Sequence, residues 1–383
     1  MSILIFFLVL SALVLVHEAG HYFSARALGV KAEEFGFGFP PRLVGFVKEG
    51  GKWKIVGRKD REQYTNTIWS LNWLPLGGFV KIKGEQAAIK DKDSFHVRPV
   101  WQRFIILAAG VTMNWILAFV LFTTVFIAGT QAVIEDLPSG ANITGRAITI
   151  TQVLPGSPAS KSGILPGDKI VSIAGAVPVS SDLARSIIGE QGTVPFTVSI
   201  LRNGESKDLV ATLDFVKEVG RPALGVGIAE VGSVSYPPFI AVKVAAIATI
   251  GYTKAVVMTF IDIFRQLLSF KAPVEEVSGP VGIAVLSGQI ARQGIIPLLQ
   301  FAAILSINLA VINFLPIPAL DGGRVLFLFI EKLRRRAMNQ QIEAAIHNVS
   351  FIILIALILL VTMRDVFKFG GVILDGAKGL VGM

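Results

Sequence analysis

Four apolar runs, at residues 3 to 27, 104 to 128, 298 to 320 and 348 to 363, restrict what this 383-residue chain can fold into. A bilayer core of roughly 30 Å needs about 20 apolar residues to cross it as a helix, and lipid offers the backbone no hydrogen bonds, so such runs read as spanning helices. The last run is short but uninterrupted. Composition agrees: 52% of residues are hydrophobic, 16% are charged and the mean hydropathy is +0.65, which excludes an ordinary soluble globular protein. The net charge of +9 would suit nucleic acid, but basic loops facing the cytoplasm account for it more simply. Lipid and membrane proteins are therefore the expected partners, and nucleic acid is not. With no cysteine, any metal must rest on His, Asp or Glu.

Charge sets the path. Residues 26 to 103 hold 15 Lys or Arg against 8 Asp or Glu, and EKLRRR at 331 to 336 precedes the last run, so both belong on the cytoplasmic side. Residues 129 to 295 balance at 13 against 13, as expected for the opposite side. Both termini then lie outside the cytoplasm. The first run has no basic start and reads as a retained helix rather than a cleaved signal. Residues 238 to 270 are apolar enough for a fifth crossing, which would reverse the parity of this path. Lys243, Lys254 and Arg265 recur every 11 residues there, within roughly 40° of one another on a helix, and this cationic stripe favours a helix lying along the membrane surface.

Residues 147 to 214 change character, with short β-type runs between Gly, Pro and Asn turns and one helical stretch around 181 to 190. The text GSPASKSGILPGDKIVSIAG resembles a PDZ domain where a short helix, a Pro-Gly-Asp turn and a strand follow one another. PDZ domains bind an extended peptide as an added strand beside a helix. One copy is present.

The chemistry is concentrated in LVHEAGHYF, residues 15 to 23. An ionisable group at the bilayer centre costs roughly 2.5 to 3.5 kcal/mol on insertion scales, so three of them inside an apolar helix demand a cavity, a partner or an ion. His17 and His21 are one helical turn apart on one face, with Glu18 beside the first. Two imidazoles can hold Zn²⁺, leaving Glu18 free to take a proton from water whose pKa the metal lowers to about 7. The bland alternative is a pair of buried histidines hydrogen-bonding between helices. A catalytic zinc commonly has three protein ligands. His96 and His347 lie in segments expected to be cytoplasmic loops and read as solvated, which leaves Asp321 in INLAVINFLPIPALDGGR as the better third ligand. Pro316 and Pro318 interrupt that helix, and Gly322 and Gly323 let the backbone open and aim Asp321 into a cavity. Its alternative is a turn or helix-end carboxylate. Both sets of residues reach a similar depth near the cytoplasmic side.

HEAGH in the first helix, the PDZ-like insert and NFLPIPALDGG before the last helix together resemble the site-2 protease family of intramembrane zinc metalloproteases, close to its bacterial RseP-type members. The resemblance covers essentially the whole chain. It implies one zinc ion per chain bound by His17, His21 and Asp321, with Glu18 as general base. It also likens EFGFGFPP to a membrane-dipping β-loop that holds substrate as a strand, through Gly36, Phe37, Gly38 and Phe39. Asn308 and Asn313 match asparagines placed near substrate backbone; helix-to-helix hydrogen bonding is the equal alternative. GPVGIA at 279 to 284 also looks familial. The second helix reads GVTMN, with Val111 where the family commonly has proline, while Gly110 and Asn114 remain.

The expected fold is a polytopic α-helical membrane protein of about four transmembrane helices, with a cytoplasmic-side, membrane-associated β-hairpin region and an inserted extracytoplasmic PDZ domain. The expected parts are an N-terminal protease half (1 to 128, β-loop 34 to 83), the PDZ-like domain (129 to 220), a linker with an interfacial amphipathic helix (221 to 297) and a C-terminal protease half (298 to 383). The expected function is cleavage of single-spanning proteins in the cell membrane, such as anti-sigma factors or remnant signal peptides. The PDZ domain would contact substrate or a regulatory peptide. Two rivals stand beside it: a non-catalytic peptide-binding scaffold, and a transporter, which would need polar groups along residues 3 to 16 where only Ser11 is found.

Overall fold

The computed structural model describes residues 2–381 except 59, 61–63, 86–88, 136, 203, 218, 270–278, 337 and 339. Part of the expected linker, 270–278, thus lies outside the described residues. The chain divides into two compact units, Thr123–Val244 and the remainder.

In the larger unit, helix α1 (Ser2–Ala27) leads into three strands, β1 (Ala32–Glu49), β2 (Lys52–Val56) and β3 (Ile68–Ile82), followed by α2 (Val100–Ala128). After the strands of the smaller unit come α5 (Pro238–Leu268), which begins within that unit, then α6 (Pro280–Gln293), α7 (Ile295–Phe314), α8 (Asp321–Arg334) and α9 (Gln340–Val381). Val9 and Leu13 of α1, Leu117 and Leu121 of α2 and Leu298, Ala302 and Leu305 of α7 share one apolar cluster, so these three helices meet. GPVGIA forms the start of α6, where Asp365 of α9 accepts the Gly282 N–H at 2.8 Å. A carboxylate at a helix N-terminus satisfies an otherwise orphaned donor and suits the helix dipole.

Among the described residues, five helices are long and apolar enough to cross a membrane: α1, α2, α5, α7 and α9. The expectation was about four, with 238 to 270 on the surface. Length and composition qualify α5 as a fifth candidate, and Lys243, Lys254 and Arg265 are exposed along it. Helix α9 starts eight residues earlier than its apolar run, at Gln340 rather than 348, because IEAAI supplies good helix formers ahead of that run. Helix α8 was not foreseen: Asp321–Arg334 is amphipathic and buries Phe327 and Leu328.

The β-region is more folded back than a hairpin. Residues 34–37 of β1 pair with 78–81 of β3 on one side and with 68–71 of β3 on the other, because both strands bend and β3 passes β1 twice. Residues 42–46 then pair with 69–72, and 45–49 with β2. The outer edges of this sheet are therefore β2 and the 78–82 segment of β3.

The smaller unit contains β4 (Thr130–Val133), β5 (Asn142–Val153), α3 (Pro158–Lys161), β6 (Lys169–Ile173), α4 (Ser181–Glu190), β7 (Phe196–Arg202), β8 (Glu205–Ala211), β9 (Asp214–Val216), β10 (Arg221–Ala223) and β11 (Val226–Ser235). Its main sheet has the order β4-β11-β5-β6-β7-β8, so a strand that the sequence left in the linker sits inside the sheet. Ile150, Ile164, Ile173, Val198 and Ile200 fill its core. Ser180 caps α4 by accepting the Leu183 N–H at 3.1 Å.

The Pro-Gly-Asp turn is locked by Asp168, buried at 1% exposure, which accepts from Arg202 at 2.6 and 2.7 Å and from the Leu165 N–H at 2.8 Å. Burial pushes this carboxyl up, yet the Arg202 and Leu165 bonds outweigh it and hold it below the usual aspartate value. Its contribution to stability is thus full above the unfolded value of about 3.9 and is lost as pH falls through the lower folded value. Asp168→Ala is expected to cost this unit about 2 to 4 kcal/mol. Hydrogen exchange on the whole protein checks this: amides of β6 and β7 should exchange faster in the variant at pH 7, and unchanged protection refutes it.

Candidate active site

Helix α1 sets His17 and His21 one turn apart, both buried. Their Nε2 atoms face each other at 3.2 Å, and Asp321 Oδ2 lies 2.9 Å from the first and 3.3 Å from the second. A tetrahedral ion with 2.0 to 2.2 Å bonds separates its ligand atoms by roughly 3.3 to 3.6 Å, so these three atoms already approximate one face of such a tetrahedron.

The far sides of the rings test the fit. His21 Nδ1 is 2.8 Å from the carbonyl oxygen of Ile106, which can only accept, so Nδ1 carries the proton and Nε2 keeps a lone pair toward the cluster. His17 Nδ1 is 3.3 Å from the Asn114 amide nitrogen, while Asn114 Oδ1 is buried with no partner among the described residues. Turning that amide over gives Oδ1 a donor in His17 Nδ1–H and leaves His17 Nε2 a lone pair as well. Two lone pairs and a carboxylate aimed at one point suit a cation. The residues fit zinc.

Helix α2 supplies both supports and the space between them. Ile106, Gly110 and Asn114 recur every four residues on one face of α2. A Cβ on Gly110 would stand 2.7 Å from His17 Nε2 and nearer still to that of His21. Ser306 of α7 donates to the Asn114 carbonyl at 2.8 Å, fixing α2 against α7. Val111 leaves α2 unbroken.

Asp321 arrives differently from the expectation. Helix α7 stops at Phe314, and Asp321 is the first residue of α8. Gly322 and Gly323 do not open the backbone; they let it close, since a Cβ on either would strike the carbonyls of Phe314, Leu315 or Ile317. The two prolines and the two glycines together make a tight turn that delivers the carboxylate.

Glu18 is half-buried, and its Oε2 accepts the Val80 N–H at 2.9 Å. The 78–82 edge of β3 therefore runs past the glutamate. Close approach depends on Gly78, where a Cβ would meet Leu15 Cδ2 and the Gly36 carbonyl at 2.8 Å. Gly36 and Phe37 lie inside the sheet with strand partners on both sides, and Gly38 (φ +77) and Phe39 turn beside Leu74. Asn308 donates to its own helix at Ile304, 3.0 Å away, and Asn313 is half-buried near the end of α7. His96 and His347, expected to be solvated, are both half-buried, and His347 belongs to α9.

The model of peptidase family M50 matches residues 5–57 and 60–357. The chain belongs to peptidase family M50. Among its M50 relatives, an assigned zinc metalloprotease of Brucella suis is 30% identical over 96% of this chain and 95% of its own. Another from Clostridium perfringens is 32% identical over 96% of this chain and 98% of its own. The regulator of sigma-W protease RasP of Bacillus subtilis is 27% identical, covering 95% and 98%. Among solved structures, the PDZ domain of an SdrC-like protein from Listeria monocytogenes matches 23% of this chain and 92% of its own, at 18% identity and a TM-score of 0.20. As an M50 peptidase with a buried His-His-Asp cluster, the chain is a zinc-dependent intramembrane metalloprotease, consistent with regulated intramembrane proteolysis. Sequence reasoning passed over the work of Ile106, Gly110 and Val80 in this M50 site. The four-residue recurrence of Ile106, Gly110 and Asn114 was the available signal.

Proposed function

We propose that this peptidase cleaves single-spanning membrane proteins within or near the bilayer, with one zinc ion held by His17, His21 and Asp321 and with Glu18 as general base. The observation that carries this reading is the triangle of two Nε2 atoms and one carboxylate oxygen. When bound, zinc polarises a scissile carbonyl and lowers the pKa of water to about 7. Glu18 takes the proton and returns it to the leaving amine, its carboxylate oriented by the Val80 N–H. A helical substrate hides its peptide bonds, so it must enter as a strand. The 78–82 segment of β3 has no strand on its outer edge among the described residues, and that edge faces α1, where Glu18 holds the Val80 N–H, so an unwound substrate is proposed to extend along this segment next to Glu18 rather than to take that donor. Gly36, Phe37 and Gly38 support that edge from within, and Phe39, exposed at 46%, Asn308 and Asn313 are the residues proposed to contact the substrate.

The excess of Lys and Arg in 26 to 103 supports a site opening toward the cytoplasmic side of the cell membrane and a PDZ-like unit on the opposite side. That unit restricts access to substrates already shortened there. The Bacillus subtilis relative is named a regulator of sigma-W, which supports a role in sigma-factor control, with anti-sigma factors or remnant signal peptides as the proposed substrates.

The test uses the whole protein in detergent with a model single-span substrate. It is expected to hold one zinc per chain and to release fragments whose masses place the cut inside or beside the span. A chelator should remove both metal and cleavage, and zinc should restore them. A preparation that holds no zinc, or cleaves equally well without it, overturns the proposal.

A further inference from the structure

Asp321 is delivered by a turn whose backbone is unfavourable in isolation. Ala319, two residues earlier, has φ +83, a conformation that a residue with a Cβ rarely adopts. Something outside the turn must hold it. The Ala319 N–H donates to His347 Nδ1 at 2.8 Å, a contact between the turn and helix α9. His347 packs edge-on against Phe327 of α8, with ring centroids 5.4 Å apart. Its Nε2 is buried with no partner among the described residues, so the Ala319 contact is the one polar task the ring performs there. Nδ1 accepts, so the ring is neutral with its proton on Nε2. Ala319 and His347 also share the wall of a cavity of about 480 Å³ with Arg324, Glu343 and Glu85, the last of which pairs with Arg324. The turn is thus braced from the α9 side.

We infer that His347 is a positioning residue for the metal site: it holds the Ala319 amide, and through it the turn that sets Asp321 opposite His17 and His21. The inference rests on the reading of Asp321 as a zinc ligand. It assigns α9 a part in metal binding although α9 contributes no ligand. The sequence motif that contains Asp321 is complete without His347, so the α9 contact is an addition made by the fold. The chemistry required of position 347 is one acceptor at the place of Nδ1. An asparagine side chain presents Oδ1 at nearly that place; leucine fills similar space with no acceptor.

The experiment measures zinc affinity of the whole protein in detergent by competition with a chromophoric chelator, for wild type, His347→Leu, His347→Asn and Asp321→Ala. His347→Leu is expected to bind zinc about 10-fold more weakly, within the 10–100-fold range of lost supporting contacts, and His347→Asn to recover most of that loss. Asp321→Ala should lose far more. If Asp321→Ala binds as wild type does, the ligand reading itself fails. If Asp321→Ala loses zinc but His347→Leu does not, only the positioning role fails. If His347→Leu and His347→Asn lose affinity equally, the ring acts by packing and the inference is overturned.

Discussion

Glu18→Gln is expected to cut proteolysis by at least 10²- to 10⁴-fold while leaving zinc content at the wild-type level. The two readouts separate because Glu18 is outside the ligand triangle, which is formed by His17, His21 and Asp321. Glutamine keeps a carbonyl oxygen that can still accept the Val80 N–H, now at 2.9 Å from the glutamate, so the seating of β3 against α1 survives. What the amide cannot do is take a proton from water at neutral pH. Cleavage of a single-span substrate and metal analysis on the same preparation decide the matter. A variant that cleaves normally removes Glu18 from the chemistry and brings the scaffold reading forward; one that loses zinc as well would make Glu18 part of the metal site.

Gly110→Val should have an effect of similar size by another route. A Cβ on Gly110 would stand 2.7 and 2.8 Å from His17 ring atoms, and valine adds two methyls beyond that Cβ. The rings cannot retreat without breaking their own supports, since His21 is tied to the Ile106 carbonyl and His17 to Asn114, all on the same helix as the glycine. Zinc affinity is expected to fall on the order of 100-fold or more, at or beyond the upper end of what a lost supporting contact costs. Overpacking also destabilises the fold by about 1 to 3 kcal/mol. Gly251→Val is the matched control, because a Cβ there meets nothing within 4 Å and the substitution sits in another long apolar helix. Wild-type zinc binding by Gly110→Val, with the control also unaffected, would show that α2 does not pack on the histidines in this way.

Much of the outline was legible in the chain itself, for reasons of period and length. Apolar runs near 20 residues read as helices because lipid leaves the backbone no other partner, and α1, α2, α7 and α9 lie where those runs lie. The spacing of His17 and His21 places both rings on one face in any helix, and the prolines before Asp321 end a helix wherever they occur. The alternation of β-type runs between glycine turns likewise announced the smaller unit, although not its last strand. β11 carries the same local signal as its neighbours, but its membership of the sheet depends on pairing with β4 and β5, far away in sequence.

Tertiary structure decided what local pattern does not encode. The contact between His17 and Asp321 joins residues 304 positions apart, and depth in the membrane had only brought them to the same level. The support of His21 by Ile106 uses a backbone carbonyl that any residue type would supply, so no side-chain pattern could mark it. EFGFGFPP reads as an edge that can receive a substrate, yet the bend of β3 covers Gly36 and Phe37 on both sides and leaves 78–82 as the outer strand, with its Val80 N–H given to Glu18 of α1. His347 read as a solvated loop residue because it lies just before the apolar run at 348 to 363, in a segment expected to be a cytoplasmic loop; only the packing of α9 beside the Asp321 turn gives its Nδ1 a donor. Sequence fixed which groups must be hidden from lipid. Which of them meet, and what holds them in place, followed from long-range packing, where the partner is set by the path of the whole chain rather than by the residues on either side.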